Sequence, residues 1–533
     1  MTPSIQIDTT SLLTILGVIA AVWALISPTD RLRLRFSMTW WDWGIAFVLF
    51  VLIHYLTFAQ ALESVGLYYS LGPWKWGVDS TSAVYLLLLF GALYFFLRSR
   101  HPILASGKVA IYHQLLDTLH TTSRYDELVL LVEPQLPKLI ALTKRKSLLS
   151  NLISQLDSSR QDLAAILRGE NPKARPAWKE HLSPILHRLR DRPQRQSSGR
   201  EQAHEILMTL VTSPKLTNHL AVSHPHFCLK LLDTEEAIRA DFIEHYIDAL
   251  LDAPGSRLYI ELKNNQNLNG GNRLALPESN RLLRFFFLNA SLAIMRGMDR
   301  AIGEAICRRL DEDEILVETL NGPLGSYYQT RRFRCPINSG ITLFEIMVHE
   351  GIHQGYQDHM WLHYFGHFVE KILKRMPSAS DEDSYEEWQT PFHYLLYRMI
   401  SISTDWAEQC SRISNSEIPE ETRTSERFDS HFISKAATKV LGRMMENVIM
   451  SKKLSDSFKQ YLLEVVVRSY VRIRQDKRLA DVASSLISEV VCGLDFPTKV
   501  PYRQKLSEIF ANIDHVLRHD APKFEEAINS ANA

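Results

Sequence analysis

Apolar positions along this chain follow two regimes. In the first hundred residues they run together, at Ser11–Ile26 (SLLTILGVIAAVWALI), Gly44–Leu62 (GIAFVLFVLIHYLTFAQAL) and Ser82–Leu97 (SAVYLLLLFGALYFFL). Such runs match the length of membrane-spanning helices. Further on, apolar residues recur at three- and four-residue steps, the signature of helices with one buried face. This pattern predicts helices over 109–119, 127–132, 148–167, 201–251, 282–298, 341–374, 390–412, 431–450, 456–471, 479–491 and 502–517. One stretch, Ser256–Leu262 (SRLYIEL), reads as a short strand or extended piece. No repeat of fixed period stands out. The fold class expected is mainly α: a three-helix N-terminal membrane anchor followed by a large, irregular α-helical cytoplasmic body.

Charge orients the anchor. Arg31, Arg33 and Arg35 lie between the first two runs, and Arg98, Arg100 and Lys108 follow the third, whereas 63–79 carries only Lys75. Positive loops mark the cytoplasmic side, so the N-terminus is expected outside and everything beyond Arg98 inside, in a multi-pass protein of the plasma (inner) membrane. Tryptophans at 40, 41, 43, 74 and 76 suit the interfaces. The first run lacks a basic leader and a small-residue cleavage site, so it reads as an anchor. His54, inside the second run, is expected to pack neutral against another span. The domains expected are 1–104 (anchor), 105–200 (juxtamembrane helices ending in a basic linker) and 201–533 (helical cytoplasmic domain). The linker, 168–200, holds four prolines and nine Arg or Lys, a composition open to anionic lipid contact as well as to solvent.

The Pro-free stretch 341–374 is expected to be one helix, and it carries His349-Glu350-Gly351-Ile352-His353. Two His four apart share a helix face and can reach one Zn²⁺, with the intervening Glu placed to polarise a metal-bound water. The motif resembles that of zincin metallopeptidases, and the resemblance covers these few residues. It implies His349 and His353 as zinc ligands and Glu350 as the general base. His359 stands where one subgroup places a third His, although Tyr356 replaces the Gly that subgroup uses to turn the chain. Another subgroup takes a later Glu, for which Glu382, Glu386, Glu387 and Glu408 are available. On one straight helix, Glu345, His349, His353, Tyr356, His363, His367 and Glu370 form a single polar stripe. Such a stripe is also what a packed helix shows on its polar side, and chance supplies the motif at a noticeable rate, so the structural reading is preferred.

Composition narrows the field. The 533 residues balance 60 Lys+Arg against 60 Asp+Glu, which argues against a general nucleic-acid binder. A local cluster, Arg331, Arg332 and Arg334, sits in an irregular region and could line the same cleft as the His stripe. Five scattered Cys without a C-x-x-C pair read as reduced structural thiols. There is no phosphate loop, nucleophile elbow or dinucleotide fingerprint. The leading expectation is therefore a membrane-anchored sensor, effector or scaffold acting through an unknown protein partner, possible homo-oligomers included. The alternatives are a zinc peptidase and a pore-forming or membrane-disrupting effector.

Overall fold

The computed structural model describes residues 32, 36–67, 80–100, 104, 106–144, 195–265, 276–357, 361–378, 388–409, 418, 420, 428–429, 431–492 and 500–532. Among them the chain is mainly helical and contains no strand. It divides into two compact units, Met1–Leu210 and Val211–Ala533.

In the first unit, helices α1 (Trp40–Thr57) and α2 (Ser80–Arg100) pack together. Among the described residues α1 is the one helix long and apolar enough to cross a membrane; the apolar part of α2, Ala83–Phe95, is shorter. The outermost run, Ser11–Ile26, lies outside the described residues. Phe47 and Phe50 are more than half exposed on α1, as lipid-facing side chains would be. Asp42 in its first turn is buried and accepts hydrogen bonds from Thr39, from Tyr94 Oη (2.6 Å) and from Arg98 Nε (3.2 Å). The carboxylate thus caps its own helix and ties α1 to α2. The Nδ1 of His54 lies 2.9 Å from Phe50 O, and its ring meets those of Phe50 at 4.0 Å and Phe58 at 6.3 Å, while the first run expected as a neighbouring span lies outside the described residues. Three short helices follow, α3 (Val109–Thr121), α4 (Tyr125–Val132) and α5 (Leu136–Lys144), closed around Tyr112, Leu115, Leu128, Val132 and Leu139.

The second unit is built around α8 (Pro336–His353), which touches α6 (Arg257–Asn265), α7 (Met298–Glu312), α9 (Leu362–Arg375) and α10 (Pro391–Gln409). Ile337, Ile341, Leu343, Phe344, Met347 and Val348 of α8 are fully buried, each contributing about 1.5–3 kcal/mol relative to exposure. Beyond α10, α11 (Phe432–Met450) and α12 (Asp456–Gln475) complete this side of the unit.

Three expectations are corrected. The strand at 256–262 is the helix α6: Leu258, Tyr259 and Leu262 are buried together at helical spacing, and Arg257 pairs with Glu261 one turn on. Glu261 also accepts from Leu282 N (2.9 Å) and Leu283 N (3.1 Å), capping the next helix, Arg281–Phe287. The helix expected through 282–298 breaks at Asn289, whose side chain caps Ala290–Met295 through Leu292 N. Most consequentially, 341–374 is two helices. Gly355 adopts φ +72°, its N–H reaches Ile352 O (2.8 Å), and Tyr356 N reaches Gly351 O (2.8 Å). This pair of bonds is the Schellman ending of a helix, and only a residue without a Cβ enters that region without strain.

Candidate functional site

Because α8 stops at His353, the polar stripe divides. Asn338, Thr342, Glu345, His349 and His353 follow one another at four- and three-residue steps along a single ridge of α8. His363 and His367 belong instead to α9, where both are exposed and line a cavity of about 770 Å³ against Asp299, Glu304 and Cys307 of α7. Tyr356 stacks on Trp361 (6.0 Å), and Glu370 accepts from Lys374. A stripe drawn on one straight cylinder does not survive the turn at Gly355.

The α8 ridge meets α10, and the two helices run in the same direction. Tyr394 meets Arg332 just ahead of α8, Arg398 meets α8 over 338–345, and Asp405 reaches the field of Glu345. Arg398 is the organising group. Its guanidinium donates to Asn338 O (3.3 Å), to Asn338 Oδ1, to Thr342 Oγ1 (2.7 Å) and to Glu345 Oε2 (2.9 Å). A planar fork with fixed donors can serve a whole helix edge in this way, which a lysine cannot.

Above this fork lie the ionisable groups of the ridge. Burial pushes the His349 imidazole below its ordinary pKa; Glu345 opposes that shift and the neighbouring His353 adds to it. His349 is thus kept neutral, with a ring nitrogen free of a proton. His353 and Glu350 are buried. Asp405 reaches solvent, yet its carboxyl is raised to about 6, first by the protein crowded around it and then by Glu345 and Glu408, against Arg472. Glu408 itself is buried and accepts from Arg472 Nε of α12 at 2.7 Å.

The donor set fits zinc in part. Two imidazoles share a face and one is held neutral, as ligation requires. Among the described residues, however, no third His, Cys, Asp or Glu joins them with ligand atoms all within 4.8 Å. Of the third ligands considered, Glu408 is engaged by Arg472, while His359, Glu382, Glu386 and Glu387 lie outside the described residues. The arginine cluster does not share this site: Arg332 sits at the opposite end of α8, roughly 25 Å away along an 18-residue helix.

Arg398 and Asp405 were not singled out from the sequence. The available signal was their spacing: Arg398 and Asp405 stand seven apart on the helix, two turns along one side, with Glu408 three residues further on. No protein-family model, curated protein or solved structure matches the chain.

Proposed function

We propose that this is a membrane-anchored helical protein whose second unit acts through protein contacts, as a sensor, effector or scaffold. The anchor is read as three spans with the N-terminus outside and the second unit in the cytoplasm. The observation that carries the non-enzymatic reading is the Arg398 fork. It engages Asn338, Thr342 and Glu345, the first part of the polar ridge of α8, as a helix-to-helix joint, which supports a structural role for that part of the ridge. Full-length protein purified in detergent without chelator should then hold well under one zinc per chain. His353→Ala should lower stability and change nothing else. Near-stoichiometric zinc lost in His353→Ala would overturn this reading. The topology has its own check: a cytoplasm-dependent reporter fused after Ser106 should be active and one near Gly72 silent.

A second reading, a membrane-anchored zinc peptidase, is favoured by one observation: His349 and His353 share a face of α8 and burial holds His349 neutral. It requires zinc retained and hydrolysis lost in Glu350→Gln. The absence of hydrolysis in the zinc-loaded native protein would remove it.

A further inference from the structure

The helices Arg281–Phe287 and Ala290–Met295, joined by a kink at Leu288–Asn289, are apolar on both sides. Leu282, Leu283, Phe286, Phe287 and Ala293 enter the core of the second unit, which accounts for one side. The other side carries Phe285, Leu288, Leu292 and Met295, three and four residues apart. Phe285 and Leu292 are half-buried, whereas Leu288 is 58% and Met295 74% exposed. A helix that only covers a core keeps polar residues outermost, so packing explains the inner face and not the outer one. The kink does not disperse the patch: the guanidinium carbon of Arg296, next to Met295, lies 4.5 Å from the centroid of the Phe285 ring.

The charge of this segment has one sign. Residues 281–298 hold three arginines and no acid; the flanking acids are Glu278 and Asp299. Arg296 is balanced by Asp233. Arg284 donates to the backbone carbonyl of Leu276 (3.2 Å), which leaves its charge unbalanced. Among the described residues no carboxylate is in ion-pair reach of Arg281 or Arg284, and Arg281 is exposed. Uncovered apolar side chains and unbalanced arginines therefore lie on one short stretch of surface.

We propose that this face docks the second unit on an anionic lipid bilayer, with Leu288 and Met295 entering the boundary between headgroups and acyl chains and Arg281 and Arg284 meeting lipid phosphates. Apolar side chains flanked by arginine are what holds a helix in the plane of such a surface, and anionic headgroups attract nearby cations. Docking of this kind rests on the membrane-anchored reading, under which the tethered unit meets the bilayer at high local concentration. A second copy fits less well, since a two-fold contact sets a patch against itself and brings its unbalanced arginines together. Ile315 supplies the contrast within the unit: it is 80% exposed, but Glu312, Asp313 and Glu314 precede it, and an anionic surface repels them.

The test uses full-length protein in vesicles of phosphatidylcholine with phosphatidylglycerol, their acyl chains brominated near the headgroup. A bimane label is placed on Leu288→Cys, on Met295→Cys or, as a control, on Ile315→Cys, with the labelled parent chain as background. The lipid bromines should quench bimane at 288 and 295 and leave it bright at 315. Arg281→Ala should lower the docked-to-free ratio read from this quenching about fivefold, and together with Arg284→Ala about 25-fold. Met295→Glu should release the label at 288. Leu288, Met295 and Arg281 are exposed, so their replacement should leave circular dichroism unchanged. Chain that leaves the vesicles in a high-pH wash fails the anchored reading together with this one. Chain that stays, with both labels unquenched, fails this one alone and leaves the face to a protein partner. Quenching indifferent to the arginine replacements also overturns the proposal, as does a disulfide between copies at Leu288→Cys without quenching, which marks an interface between copies.

Discussion

Arg398→Met removes the fork while keeping an apolar stem of similar length, which isolates its donors from its packing. Four acceptors on α8 lose a partner, one of them the Glu345 carboxylate. Breaking a fully buried ion pair costs about 3–5 kcal/mol, and a bond to a charged group about 1.5–3 kcal/mol. The Arg398 side chain is 18% exposed and that of Glu345 33%, so water can re-solvate part of what is lost. Roughly 2–4 kcal/mol remains, well below the summed burial of the apolar side of α8, so the helix should loosen without the unit collapsing. The suitable assay is amide hydrogen exchange along α8 in the full-length protein, since unfolding of a two-unit chain is not a single transition. Amides of 342–349 should exchange roughly 30- to 1000-fold faster. Arg398→Lys should fall between, because a point charge serves fewer of these acceptors. Combining Arg398→Met with Glu345→Gln should cost less than the two changes added, as residues in one network do. A change below about threefold in Arg398→Met would refute the joint and the functional reading built on it.

Other perturbations bear on different parts of the molecule. Asp405 is neutral more readily in the folded protein than in the unfolded chain, so its contribution falls as pH rises from about 4 through about 6. Asp405→Asn should therefore raise stability at neutral pH and flatten that slope, by less than the shift alone suggests because the group is exposed; no change at pH 7 would place the carboxylate in free solvent. Gly442→Ala in α11 would bring a Cβ to 2.5 Å from the backbone oxygen of Glu489 and should cost about 1–3 kcal/mol in melting experiments. Gly366→Ala meets only the flexible Arg443 side chain at 3.2 Å and should be nearly neutral, so equal losses would contradict the packing described. Asp42→Asn should loosen the α1–α2 pair by removing the charge that Arg98 and Tyr94 address, measurable as faster crosslinking loss between cysteines placed on the two helices.

Helix content and the main breaks were legible where the cause was local. Periodic apolar residues marked α10, α11 and α12 to within a few positions, because each helix buries one face and its neighbours need not be known. The 19-residue run Gly44–Leu62 overlaps α1, marked by continuous apolar length and not by periodicity. Local pattern misled at Ser256–Leu262, where the short apolar run Leu258-Tyr259-Ile260 reads as an extended piece. The decision there came from outside: Glu261 is buried as the cap of Arg281–Phe287, and Leu258 and Leu262 enter a helical core.

The H-E-x-x-H spacing was likewise visible from the sequence alone, since two residues four apart share a helix face whatever surrounds them. What shares that face was not visible. Gly355 was seen as a glycine one place too early for a known turn, whereas in the folded chain it ends α8 and sends His363 and His367 to a different helix and cavity. Arg398 and Asp405 lie about fifty to sixty residues from the ridge they meet, and their partners follow only from how α10 packs on α8. Sequence periodicity constrains which side of a helix is buried. Which helix covers it, and hence which charges meet, is set by non-local packing that no single window of residues contains.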